Sequence, residues 1–178
     1  MLLIASPGMT DPRFARSVVF LCSHTSQGAM GIVINQLTEK VTLASVIDQL
    51  GIKAEIDLSR TRVHVGGPVE TARGFVLHTG DYSHENTLVV DDVFSLSATI
   101  DVLRAIATCQ GPKRHLFALG YSGWGAGQLD QEIQQNGWHL APTDPDLLFD
   151  ADDAGKWDRA LRQIGVDPAL LSVTAGHA

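Results

Sequence analysis

The sequence has 178 residues, of which 44% are hydrophobic and 19% charged, which excludes a disordered chain and predicts one domain spanning residues 1–178. Its formal net charge is −7 at pH 7, and its 13 lysines and arginines form no run. Nucleic-acid binding needs clustered positive charge, so direct DNA binding is disfavoured. The two cysteines, Cys22 and Cys109, indicate separate thiols and not a disulfide framework.

The sequence favours the cytoplasm as the location of the protein. Residues 1–7 lack a basic region, and their apolar run is too short for a signal peptide. No stretch approaches the roughly 18 apolar residues of a membrane span. We therefore expect no membrane partner, whereas formation of a homo-oligomer stays open.

The N-terminal part predicts a β-hairpin. A short apolar run over residues 2–5 stops at the turn-forming residues 6–8. Residues 17–22 and 29–34 are rich in β-branched and apolar side chains, and the turn pair Gln27-Gly28 separates them. This arrangement is typical of two antiparallel strands.

Helices are predicted where apolar residues recur at helical spacing. The first begins after the capping residue Thr42 and ends at Gly51, the second begins at Ser95, a short one covers residues 128–136, and the last ends at Gly165. Further strands are predicted over residues 62–65, 74–78, 87–90, 115–119, 138–140 and 147–149. Strands and helices alternate without a regular βαβ rhythm, which favours an α+β fold.

The densest glycine segment, residues 120–127, follows a predicted strand and precedes a predicted helix. Backbone N–H groups converge at such a place and often bind anions, although the segment matches neither phosphate-binding glycine motif. We expect its glycines to frame Trp124, with Gln128 or Glu132 facing the same surface. The alternative is that the glycines only allow close packing around Trp124.

Ser122 lies in a segment that approaches the Gly-x-Ser-x-Gly nucleophile motif, with His177 downstream as a candidate base. Trp124 occupies the second glycine position of that motif and would crowd its strained turn. Serine hydrolysis is therefore disfavoured.

Cys22 and His24 are two residues apart on a predicted strand, which places both on one face. A thiol beside an imidazole suits a nucleophile or a redox sensor. The other interpretation is a buried thiol and an unrelated surface histidine. The remaining histidines show no paired spacing for a metal, so neither a metal nor a cofactor is predicted.

Several motifs, taken in chain order, together resemble the YqgE/AlgH family. They are residues 6–9, 11–12, 14, 16–19, 22 and 24, 28–31 with Val33 and Asn35, 66–69, 74–78, the block Gly120-Tyr121-Ser122-Gly123-Trp124-Gly125-Ala126-Gly127-Gln128-Leu129, then Glu132, Asn136, Trp138 and 176–178. The resemblance implies an irregular, bifurcated, partly barrel-like and mostly antiparallel sheet flanked by helices. It carries a transcriptional-regulator label but no established enzyme activity, cofactor or catalytic residue.

Two departures from the family pattern affect function. The family continues Asn-Arg-Pro where this chain has Asn35-Gln36-Leu37, so any anion-binding role of that arginine is lost. The family commonly has alanine at Ser122, which further disfavours a serine nucleophile.

The leading hypothesis is a non-enzymatic regulatory module that binds an unknown protein or small molecule and affects transcription indirectly. The alternative is a small enzyme or thiol redox sensor that uses Cys22 and His24. The candidate binding residues are Ser6, Asp11, Phe14, Asn35, Tyr121, Gly123, Trp124, Gly125, Gly127, Gln128 and Glu132.

Overall fold

The structure is a computed structural model that describes residues 1–168, so His177 and the motif at 176–178 lie outside the described residues. This part of the chain contains nine strands and five helices. The strands are Leu2–Ala5 (β1), Val18–Thr25 (β2), Gly28–Val33 (β3), Val63–Val65 (β4), Val69–Thr79 (β5), Leu88–Val89 (β6), Phe94–Ser97 (β7), His115–Gly125 (β8) and Trp138–Ala141 (β9). The helices are Leu43–Gln49 (α1), Ile100–Ala107 (α2), Gln128–Gln134 (α3), Pro145–Phe149 (α4) and Lys156–Gln163 (α5).

The strands form one curled sheet in the order β6-β7-β5-β8-β3-β2-β1-β9, and β4 joins it by pairing with β8. Every pairing is antiparallel except that of β4 with β8. The sheet divides along β8, because residues 115–119 pair with β4 and β5 whereas residues 122–125 pair with β3. The expected α+β fold with a bifurcated, mostly antiparallel sheet is confirmed.

Two helical layers cover opposite faces of the sheet, because successive side chains of a strand point to opposite sides. Val76 packs in one core cluster with Leu43 of α1 and Leu103 of α2. Its neighbour Leu77 packs in a second cluster, which includes Trp157 of α5. None of the helices in residues 1–168 is both long and apolar enough to cross a membrane.

The division of the sheet along β8 depends on glycine. The turn at Gly66 and Gly67 packs directly against β8, and a Cβ atom added to Gly67 would lie 2.2 Å from the carbonyl carbon of Tyr121. At the junction between the two halves of β8, Gly120 has a φ of +73°, a conformation that costs glycine little. The glycines at 66, 67 and 120 therefore serve the division of the sheet.

Several predicted elements differ from the structure in type or in their bounds. Ser95 does not cap a helix but lies in β7 opposite His78, and the second helix begins at Ile100 after Thr99. Residues 147–149 belong to helix α4 and not to a strand, because Asp144 caps a helix that starts at Pro145. The helix predicted over 128–136 ends at Gln134.

Candidate functional site

Strand β8 continues through most of the glycine segment and ends at Gly125, whereas the predicted strand ends at residue 119. Trp124 pairs with Ala29 and Gly125 pairs with Gly28 across the β3–β8 ladder. The chain leaves the sheet only at Ala126, and Gly127, with φ +70°, forms the N-cap of α3. The backbone pairing fixes the position of the Trp124 indole at the start of that helix.

A cavity of about 520 Å³ lies where the 6–14 segment, the end of β8 and helix α3 meet. We call it the tryptophan cavity. It falls in the size range of small-molecule sites, which is about 300–1,000 Å³. Its lining residues are Ser6, Gly8, Met9, Thr10, Asp11, Arg13, Phe14, Pro68, Val69, Gly123, Trp124, Gln128, Glu132, Gln135, Asn136, Gly137 and Trp138.

Glu132 organises the polar wall of the tryptophan cavity. Its Oε2 accepts hydrogen bonds from the indole Nε1–H groups of Trp124, at 2.9 Å, and Trp138, at 2.7 Å. Its Oε1 accepts a bond of 2.8 Å from Gln128 Nε2, and Gln128 Oε1 in turn accepts one of 3.0 Å from the Gly125 N–H. The network ties helix α3 to the last residues of β8 and to the first residue of β9.

Three aromatic rings form the apolar wall. The ring centroids of Trp124 and Trp138 lie 5.9 Å apart at an interplanar angle of 80°. The Phe14 ring contacts both, with centroid distances of 6.4 Å to Trp124 and 5.6 Å to Trp138. Phe14 is half-buried, so the cavity presents an aromatic surface beside the Glu132 carboxylate.

The cavity lining also carries an ion pair. Arg13 Nη2 lies 2.6 Å from Asp11 Oδ2, and Arg13 Nε donates to both carboxylate oxygens. These hydrogen bonds lower the pKa of Asp11 from its ordinary value. The guanidinium also lies 5.9 Å from the centre of the Phe14 ring. Both charges of this pair are thus engaged with each other.

The structure brings seven of the eleven candidate binding residues to the tryptophan cavity. They are Ser6, Asp11, Phe14, Gly123, Trp124, Gln128 and Glu132. Tyr121 instead lines an adjacent, more open cavity of about 700 Å³, which shares Gly123 and Trp124. Gly125 and Gly127 line neither cavity.

Asn35 lies away from both cavities and has a local role. Its Oδ1 accepts a hydrogen bond of 2.8 Å from the Val18 N–H, and its Nδ2 donates to the Arg16 carbonyl at 2.9 Å. The side chain therefore joins the start of β2 to the chain that follows β3.

Sequence reasoning did not assign Arg13, Gln135 or Trp138 to the site. Trp138 lies in β9 and reaches the cavity because Ala5 and Trp138 are register partners in the β1–β9 pairing. The sequence did contain one indication for Trp138, because this residue follows Glu132 by only six residues, shortly after helix α3 ends. Nothing local in the sequence indicates that Arg13 lines a cavity together with residues of helix α3.

Trp124 combines features of both hypotheses for the glycine segment. A binding surface would leave this side chain partly exposed, whereas a purely structural role would bury it. The side chain is only 7% exposed, yet it borders the cavity, and Glu132 faces the same space. Its burial means that replacement will cost stability as well as altering the cavity.

Cys22 and His24 are in different environments. Cys22 packs in the core cluster with Phe20 and Ile32, and burial raises the pKa of its thiol to about 12. A β-bulge between Leu21 and Ser23 interrupts the regular alternation at this point. His24 lies on the surface, with its Nε2 3.3 Å from Asp130 Oδ1. Cys22 therefore has the environment of a core thiol and not of an activated nucleophile.

Ser122 is fully buried, and its Oγ donates a hydrogen bond of 3.2 Å to the Gly66 carbonyl. The hydroxyl holds the 66–68 turn against β8 and is closed to a substrate. Within residues 1–168, no three His, Cys, Asp or Glu side chains come together in a group that could hold a metal ion.

Comparisons with known proteins agree with this architecture. The AlgH-like family model (DUF179) matches residues 2–169. The chain belongs to the AlgH-like family. It is 53% identical over 176 residues to a UPF0301 protein of Rhodospirillum rubrum, covering 99% of this chain and 92% of the relative. It is 52% identical over 183 residues to a UPF0301 protein of Mesorhizobium japonicum, covering 99% and 90%.

Solved structures of similar proteins share the AlgH-like fold. The solution structure of the AlgH protein from Pseudomonas aeruginosa has a TM-score of 0.80 at 43% identity, covering 99% of this chain and 94% of that one. A crystal structure of a protein from Corynebacterium diphtheriae has a TM-score of 0.73, with coverage of 99% and 90%. Its identity is 19%, so this second likeness concerns the fold alone.

Proposed function

We propose that this AlgH-like protein is a non-enzymatic regulatory module that binds a ligand or partner in the tryptophan cavity. The observation that carries the proposal is the convergence of two distant parts of the chain on one cavity. Ser6, Asp11 and Phe14 come from the N-terminal turn, whereas Trp124, Gln128 and Glu132 come from the end of β8 and helix α3. A cavity of about 520 Å³ with aromatic walls and a few oriented polar groups suits specific binding.

Its effect on transcription, in this proposal, is indirect. The net charge of −7 and the absence of a run of basic residues oppose contact with the phosphate backbone of DNA. A ligand-dependent contact with another protein supplies the regulatory link. Such a role places the protein in the bacterial cytoplasm.

The burial of Cys22 supports this proposal over thiol chemistry. A redox sensor needs an accessible thiolate, and the raised pKa of Cys22 opposes thiolate formation at neutral pH. Nothing in the environment of Ser122 supports hydrolysis either, because its hydroxyl is enclosed and bonded to the backbone.

A pair of adjacent glutamines allows a matched test. The exposed side chain of Gln135 lines the tryptophan cavity, whereas that of Gln134, also exposed, lines a different surface depression beside Met1 and Leu140. We expect Gln135→Phe to obstruct the cavity and Gln134→Phe to leave it open. Each variant is introduced into a strain lacking the gene, and genome-wide transcript levels are measured.

The proposal predicts that wild-type protein and Gln134→Phe restore the transcript profile and that Gln135→Phe does not. Thermal unfolding of both variants shows whether each is folded. Full restoration by a folded Gln135→Phe variant would remove the tryptophan cavity from the function.

A further inference from the structure

Within residues 1–168, the charge of Glu132 has no cationic partner. Its three hydrogen-bond donors, two indole N–H groups and one amide, are all electrically neutral. Among residues 1–168, the nearby carboxylates differ in this respect, because Asp11 pairs with Arg13 and Asp130 lies beside His24. No lysine, arginine or histidine of the described chain forms an ion pair with Glu132.

The carboxylate has the capacity for another bond. Two carboxylate oxygens offer about four acceptor sites, and three of those on Glu132 are filled. The residue is half-buried, so water screens its charge less than it would at an open surface. A donor entering the cavity with a positive charge would form a charge-assisted hydrogen bond, which is stronger than a neutral one.

The aromatic wall favours the same class of ligand. The half-buried Phe14 ring, together with Trp124 and Trp138, lines the cavity beside Glu132. Aromatic rings attract cations and also bury apolar groups. The Arg13 guanidinium already lies over the Phe14 ring, which shows that the ring accommodates a cation on its rim side. The cavity volume of about 520 Å³ suits a small molecule carrying both features.

We propose that the tryptophan cavity binds a small organic cation, an amine or guanidinium attached to an apolar body. The cationic group bonds to Glu132, and the apolar body packs against Phe14 and the two indoles. This inference rests on the proposed binding function and names its ligand class. An anionic ligand would meet the uncompensated charge of Glu132, while Arg13 is already paired with Asp11.

Three probes with one skeleton and different charges test the proposal. They are 3-phenylpropylamine, 3-phenylpropanol and 3-phenylpropanoate. The protein is labelled with ¹⁵N, and the indole N–H signals are followed by NMR. Three tryptophans are present, and Trp157, whose Nε1–H donates to the Ala5 carbonyl at 2.8 Å, lies outside the cavity and serves as an internal control.

We expect the amine to shift the signals of Trp124 and Trp138, not that of Trp157, and to bind at least tenfold more tightly than the alcohol or the carboxylate. A tenfold ratio corresponds to about 1.4 kcal/mol. Equal or tighter binding of the alcohol or the carboxylate would overturn the cationic inference and leave the proposed function intact. Binding of no probe up to about 10 mM would also overturn the inference, whereas the transcript experiment tests the proposed function without any probe.

Two variants then separate charge from shape. Glu132→Gln keeps an oxygen acceptor for the indoles but removes the charge, so the amine should bind at least tenfold more weakly. Arg13→Gln removes the one cationic side chain that residues 1–168 contribute to the cavity lining, so the amine should bind as well as before or more tightly. Weaker binding of the amine to Arg13→Gln would contradict the proposal. Because Arg13 is exposed, this variant tests the proposal even if Glu132→Gln fails to fold.

Discussion

The buried ion cluster beneath helix α5 gives the sharpest test of the structure. Asp153 is 5% exposed and Lys156 is fully buried. Lys156 Nζ donates to Asp153 Oδ1 at 2.6 Å and to the Ile34 carbonyl at 3.1 Å. His64 Nε2 lies 3.1 Å from Asp153 Oδ1, and the Arg62 guanidinium donates to Oδ2. The cluster thus joins α5 to β4 and to the residue that follows β3.

Asp153→Asn should destabilise the protein by about 2–3 kcal/mol at pH 7. Removing one partner of a buried ion pair costs about 3–5 kcal/mol. Because the asparagine oxygen still accepts from Lys156, we expect a cost at or just below the lower end of that range. The pKa leads to a similar figure. Burial by itself would raise the pKa of Asp153, but hydrogen bonds from His64 and Lys156 outweigh it and lower the pKa from 3.8 to about 2. That shift corresponds to about 2 kcal/mol.

The sign of the pH dependence follows from the lowered pKa. The folded protein holds the proton of Asp153 less tightly than the unfolded chain, so the stabilisation is complete above about pH 4. It is lost as the pH falls towards 2. Wild-type protein should therefore lose this part of its stability in acid, and Asp153→Asn should lack that loss.

Urea denaturation followed by circular dichroism measures both effects. The control is Asp101→Asn, because this exposed carboxylate lies 3.7 Å from Arg104 on the surface and should change stability by less than about 0.5 kcal/mol. Adding Lys156→Met to Asp153→Asn should recover stability, since the buried charge of Lys156, which asparagine does not neutralise, is then removed. A loss below about 1 kcal/mol for Asp153→Asn, or an unchanged acid response, would refute the reasoning.

Three further predictions follow from burial and charge. Trp124→Ala should lower the free energy of unfolding in urea by about 3–5 kcal/mol, because the ring is 7% exposed, and a loss below about 1 kcal/mol would contradict its packing. In a thiol titration of native protein, exposed Cys109 should react at once and Cys22 only after denaturation, and rapid reaction of both would contradict the burial of Cys22. Fluorescence anisotropy at physiological salt should show no sequence-selective binding of duplex DNA, and nanomolar selective binding would contradict the charge argument.

Local patterns predicted the parts of the fold that local forces determine. The β2–β3 hairpin and helix α1 follow from residue periodicity and from turn and capping residues, and Thr42 caps α1 as expected. Ser95 shows the limit of this approach. A serine before an apolar run resembles a helix cap, but pairing with β5 keeps residues 94–97 in a strand. Tertiary pairing overrides local preference at such positions.

The candidate site was predictable only in part for a related reason. The family motifs pointed to residues 6–14 and 120–132, but no periodicity brings segments more than 100 residues apart together. Antiparallel pairing of β1 with β2 and β9, and of β3 with β8, produces that proximity. The Glu132 bonds to Trp124 and Trp138 likewise depend on three separate elements meeting at one corner of the sheet.

Native mass spectrometry of the protein purified from its own cells tests binding in the tryptophan cavity most directly. We predict that wild-type protein and Gln134→Phe carry an additional small-molecule mass and that folded Gln135→Phe lacks it. The same additional mass on Gln134→Phe and Gln135→Phe would contradict the assignment of binding to this cavity.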